Sequence, residues 1–173
     1  MIRTILLACS FLLVSCISYS QVPPSGSNII RPNLDQFEGI WKWTSGNDEI
    51  TIKLKKINFF FITDHFHEDV IIGSHKYIKD GIVVEDYLSQ FPSIGQNNLS
   101  TIFLWGKMDG SEADKIAGNL KDANKHKQVK LLMVLIPGTT PTINCKITPK
   151  GDVIVDPMIE GTTLPEDFIL IKQ

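Results

Sequence analysis

The sequence has no excess of charge, few cysteines and no apolar run long enough to cross a bilayer. Lys and Arg number 17 against 19 Asp and Glu in 173 residues, a formal net charge of -2. That balance excludes a strongly basic nucleic-acid binder and leaves no field to steer the chain to anionic lipid. At 43% hydrophobic residues, the chain is also not one that stays unfolded. Cys9 and Cys16 fall within residues 1–20, which leaves Cys145 without an internal partner. No disulfide framework therefore holds the fold. Cys145 stands between Asn144 and Lys146 in an alternating pattern and reads as a small buried hydrophobe. Common hydrolase motifs are missing too: there is no Gly-x-Ser-x-Gly, no His-Glu-x-x-His and no Ser-x-x-Lys. Glu85 and Asp86 are adjacent, so on a strand they face opposite ways and cannot form an acid/base pair. The lysines from Lys121 to Lys130 read as a solvated hairpin loop.

What is present begins with an address. Met1-Ile2-Arg3 precedes an apolar stretch from Ile5 to Val14 that is broken only by Ser10. A spanning helix needs about 20 apolar residues, so this stretch fits the core of a secretory signal instead. Residues 1–20 are expected to direct export to the periplasm, the outer membrane or the exterior. Two cleavage readings stand side by side. Leu13-Val14-Ser15-Cys16 resembles a bacterial lipobox, which makes Cys16 a lipid-attachment candidate and the membrane contact of the mature chain. Ser18-Tyr19-Ser20 is the ordinary small-x-small pattern, which would discard Cys16. Residues 21–34, with Pro23, Pro24 and Pro32, read as a flexible tether, and residues 35–173 as one domain.

From residue 39 onward the side chains alternate with period two. Gly39, Trp41 and Trp43 face one way while Ile40, Lys42 and Thr44 face the other. After a turn at Ser45-Gly46-Asn47-Asp48, Ile50, Ile52 and Leu54 oppose Thr51, Lys53 and Lys55. That is a hairpin with one dry and one wet side. Further strands are expected at 58–63, 70–79, 82–88, 99–105, 129–136, 142–148, 152–155 and 168–172, with a loop at 91–98. Residues 111–125 admit two readings. Ala113, Ile116, Ala117 and Leu120 lie at helical spacing, whereas Ile116, Gly118 and Leu120 alternate. A strand over 115–121 agrees better with its neighbours. So many short strands predict an all-β fold whose edges must be closed. An antiparallel up-and-down β-barrel or strongly curled sheet is expected, with a two-sheet β-sandwich as the alternative.

Phe37-Glu38-Gly39-Ile40-Trp41-Lys42-Trp43 resembles the Phe-x-Gly-x-Trp opening of lipocalin-like barrels. In those barrels the glycine lets the backbone bend and the tryptophan plugs the closed end. A wider resemblance rests on blocks in order: Gly39–Trp43 with Ser45–Asp48, Leu54–Lys56, Asp69–Tyr77, Gly81–Glu85 and Thr163–Leu170. They are similar to an uncharacterised family of small exported proteins from Bacteroidota. The resemblance implies an exported β-rich domain and brings no activity with it.

Few residues suggest chemistry. His65 and His67 are two apart, share a strand face and could ligate one metal with a third residue such as His75 or His126. The plainer reading is a polar hairpin turn. His75 and Tyr77 share a face with Ile71 and Gly73, so they are polar groups in an apolar lining. They would orient a ligand, or else they are hydrogen-bonded core residues. Trp41 and Trp43 face the apolar side, and Trp105, beside Gly106-Lys107, is the better candidate for exposure. The sequence thus predicts a non-enzymatic envelope protein. It would bind a small apolar or amphipathic ligand inside its first five strands, over a floor of Trp41 and Trp43, against Ile71, His75 and Tyr77. A structural or interaction module with a filled core, contacting another envelope protein, comes second. A metal-dependent enzyme comes third. No cofactor is expected.

Overall fold

Period-two patterning resolves into ten strands: β1 (Ser27–Ile29), β2 (Gly39–Ser45), β3 (Asp48–Thr63), β4 (Phe66–Lys79), β5 (Ile82–Asp86), β6 (Ile102–Trp105), β7 (Lys115–Asp122), β8 (Lys127–Ile136), β9 (Thr142–Pro149) and β10 (Asp167–Lys172). Among the described residues, two short 3-10 segments, Pro32–Phe37 and Leu88–Ser93, are the helical content. The computed structural model describes residues 24–63, 66–93, 100–107, 111–149 and 160–173. The segment expected to direct export, with Cys16, the histidine at position 65, most of the expected loop and the strand expected at 152–155 lie outside the described residues.

Strands β2, β3, β4, β6, β7, β8, β9 and β10 are antiparallel neighbours in that order, and β10 pairs back onto β2 through Ile171–Lys42 and Lys172–Trp41. The sheet therefore closes as an eight-stranded up-and-down barrel with two extra strands. Strand β4 is the exception to simple pairing. One edge runs along β3, and the other takes three partners in succession: β1 in parallel at 66–68, β6 at 71–73 and β5 at 76–79. The two separate strands expected at 50–55 and 58–63 are one strand. With no glycine or proline between Lys55 and Asn58, the misfit is absorbed as register shifts after Ile57 and after Phe61, which bends the strand without ending it.

Inward positions form one apolar core that includes Trp41, Ile52, Ile71, Leu104, Met133 and Leu170, all fully buried. Strand β7 buries Ile116, Gly118, Leu120 and Asp122 in strict alternation. That settles the ambiguous stretch as a strand. Gly118 makes it possible, because a Cβ there would sit 2.0 Å from the Phe103 carbonyl oxygen of β6. Gly73 is a milder case: a Cβ would lie 2.7 Å from the Lys53 carbonyl of β3. Strand β4 departs from alternation and is buried on both faces from Glu68 to His75. Its outer side is covered by the Leu88–Ser93 turn, where Val70, Ile72 and Phe91 form a second apolar cluster.

The tether expected over 21–34 is corrected from Ser27 onward. Beyond β1, the Arg31 backbone N–H donates to Asp69 Oδ2 at 2.9 Å, and its guanidinium bonds the Glu68 carboxylate and the Lys107 carbonyl. Lys56 joins in, with Nζ 2.7 Å from Asp35 and 3.3 Å from Asp69. Burial pulls the Lys56 ammonium down, but hydrogen bonds and charge from the two carboxylates outweigh it and hold its pKa above the usual value. Composition suggested flexibility. A buried arginine paired with a buried carboxylate fixes this segment instead, and removing either partner would strand a charge.

Candidate functional site

Trp41, Trp43 and His75 fall on the inner face of the barrel. Trp41 is fully buried, its Nε1–H donates to the Phe37 carbonyl at 2.8 Å, and the Lys172 ammonium lies 5.2 Å from its ring centre. Leu34 and Phe37 are fully buried beside it. The 3-10 turn Pro32–Phe37 and the start of β2 thus close one end of the barrel. Trp43 is half-buried, with its ring 6.1 Å from that of Phe168. Ile71 and Tyr77 belong to the same core. Burial, followed by the charges of Asp48 and Asp80, pushes the Tyr77 hydroxyl above its usual pKa.

His75 is fully buried in a polar chain that sequence reasoning did not assemble. Its Nε2 is 2.7 Å from Glu85 Oε2, and its Nδ1 is 2.8 Å from Thr101 Oγ1. The second Glu85 oxygen accepts the Asn124 backbone N–H at 3.0 Å. A carboxylate can only accept, so Nε2 donates to Glu85, and in the neutral ring Nδ1 accepts from the Thr101 hydroxyl. Hydroxyl, imidazole and carboxylate in a line would activate a nucleophile in an open cleft. In this barrel Thr101 and Glu85 are each 4% exposed, and the chain fastens β4, β5 and the β7–β8 turn together. Alternation placed His75 inward, but the partners lie 26 and 10 residues away, and no local signal connects them. Glu85 and Asp86 do face opposite ways: Asp86 is exposed and reaches Lys76 at 3.2 Å.

His67 lies on β4 opposite Phe61, while its partner at position 65 lies outside the described residues. Among the described residues no three His, Cys, Asp or Glu side chains meet in a way that could hold a metal. Cys145 is fully buried, and desolvation pushes its thiol far above the usual range. We therefore expect iodoacetamide at pH 8 to label Cys145 in denaturant but not in the native protein, as read by peptide mapping. Fast native labelling would contradict the packing of β9.

Open clefts lie on the outside. One, of about 650 Å³, is lined by polar groups that include Tyr87, Lys121, Asn124, His126 and Lys127. A second, of about 520 Å³, runs over the outward side chains of β6 to β9, among them Trp105, Ala117, Leu132, Lys130 and Lys146. A third, of about 220 Å³, shares Trp105, Ala117 and Leu132 and continues to Lys107, Glu112 and Lys115. Trp105 is 40% exposed and Leu132 37%. The register sets this wall: Trp105 faces Ala117, Ala117 faces Leu132, and Leu132 faces Lys146. The small Ala117 leaves a dip between two large apolar side chains. Outward alternation of Trp105, Ala117 and Leu132 could have signalled the groove, but only once their strands were known to be neighbours.

Compared with known proteins, the model of a family described as "Family of unknown function (DUF6705)" matches residues 1–173. No curated protein and no solved structure matches the chain.

Proposed function

The chain belongs to the DUF6705 family, a family of unknown function, and from that premise we propose that it is a non-enzymatic binder of a small apolar or amphipathic ligand, held in the outer groove around Trp105. The observation that carries this reading is the contrast between an interior that the described residues pack with apolar side chains and an apolar, open outer cleft. The interior positions are closed by packed side chains. The outer cleft, at about 520 Å³, has the size of a small-molecule site, and its apolar wall is centred on an exposed tryptophan, a side chain that contributes much area at little entropic cost. Export of the mature domain belongs to the same reading and is supported by the charged start and apolar core of residues 1–20. The barrel carries apolar groups inside and lysines outside, the reverse of a membrane-spanning barrel.

Calorimetric titration with medium-chain alkyl ligands tests the proposal. Trp105→Ala is expected to weaken binding about tenfold or more, the size of one buried aromatic contact, and to leave the melting temperature within a few degrees. Unchanged affinity in that variant would remove the groove as the site. The filled barrel also suits an interaction module, whose partner would cover the same wall. Saturable binding of a small ligand separates the two readings.

A further inference from the structure

We infer that the ligand of this groove carries an anionic head, seated between Lys130 and Lys146, with its apolar tail laid across the strands toward Trp105. The inference rests on the groove reading given above and adds the chemical class. Trp105, Ala117, Leu132 and Lys146 stand in one cross-strand row on four successive strands. At the usual strand spacing that row is roughly 14 Å long, the scale of a medium alkyl chain. Lys130 shares the outer face of β8 with Leu132, two residues along, and its neighbours across the ladder are Asn119 and Thr148.

The two ends of the row differ in how their lysines are paired. Near Trp105, Lys107 and Lys115 both bond Glu112, at 2.7 and 2.9 Å. Hydrogen bonds from Lys107 and Lys115 hold the Glu112 carboxyl below its usual pKa, so both cations of this end are already engaged by a carboxylate. At the far end, Lys130 and Lys146 are exposed and form no ion pair among the described residues. Asp167 stands opposite Lys146 on the β10 side, away from the groove, without pairing with it. The wall therefore runs from an apolar end whose cations are held by Glu112 to an end whose two lysines have no ion pair among the described residues. An amphiphile with a carboxylate or similar head matches that order, and a cationic amphiphile opposes it.

The test uses the full chain at low salt. It is titrated calorimetrically with dodecanoate, with an uncharged dodecyl oligo(ethylene glycol) ether and with dodecyltrimethylammonium, each below its micelle concentration. Dodecanoate should bind about tenfold tighter than the uncharged ether, the scale that two exposed cations supply, and the advantage should shrink as salt is raised. The double variant Lys130→Gln/Lys146→Gln should lose that advantage and keep its affinity for the ether. Equal binding of all three amphiphiles, or an anion preference that survives in the double variant, overturns the anionic-head inference and leaves the groove standing. No binding of any of them, or binding indifferent to Trp105→Ala, overturns both.

Discussion

Gly118→Val is expected to leave no folded barrel, and Gly118→Ala to lose at least about 3 kcal/mol of stability, the upper range for overpacking. The reason is geometric. The inward direction at position 118 is occupied by the backbone of β6, with the Phe103 carbonyl oxygen 2.0 Å and the Leu104 Cα 2.8 Å from where a Cβ would stand. Side chains can move aside, but a paired backbone cannot do so without opening the ladder, in which Gly118 faces Leu104. Domains of this size hold only about 5–15 kcal/mol in total, so the whole isopropyl group of valine exceeds what the closed sheet can absorb. Urea denaturation followed by far-ultraviolet circular dichroism measures the loss. Gly138→Ala is the control: its nearest neighbour is 3.7 Å away, and it should change stability by less than about 0.5 kcal/mol. A Gly118→Val protein with native melting behaviour would mean that β6 and β7 do not approach as described.

Trp41→Ala should be nearly as severe, at about 3–5 kcal/mol, because a fully buried indole closes one end of the core. Trp41→Phe retains most of the volume and loses the Nε1–H bond to the Phe37 carbonyl. It should lose about 1 kcal/mol for that bond and somewhat more for the unpaired acceptor. The pair of variants also bears on function. If Trp41 is floor and not wall, Trp41→Phe changes stability while alkyl-ligand affinity stays at the wild-type value. A loss of affinity with unchanged stability would move the ligand back to the inner face.

Much of this architecture was legible because inner and outer residues alternate. Ile50, Ile52 and Leu54 against Thr51, Lys53 and Lys55 give β3 its dry face, and Asp80-Gly81 is the turn between β4 and β5, with φ of 51° and 79°. What escaped the sequence has three physical sources. Proline and serine before residue 34 suggested a free segment, yet Arg31 finds two carboxylates that lie nearly forty residues later. Strand β4 is buried on both faces because a later turn folds over it, a tertiary effect that breaks the one-sided rule. The groove depends on which strands are neighbours: Trp105, Ala117 and Leu132 are scattered in the chain and adjacent only in register. His75 was correctly placed inward, but its role as a fastening depended on Thr101, just before β6, and Glu85 of β5 arriving from separate parts of the chain.

The seam between β2 and β10 joins Lys42 to Ile171, so the barrel closes only when its first long strand meets its last. Until residues 167–172 pair, the sheet has two bare edges, and the outer face of β2 already displays Ile40, which is 44% exposed even in the finished protein. Naked edges recruit other strands, and pairing between distant segments is slow. The interval before β10 docks is therefore when this polypeptide most needs shielding by a chaperone.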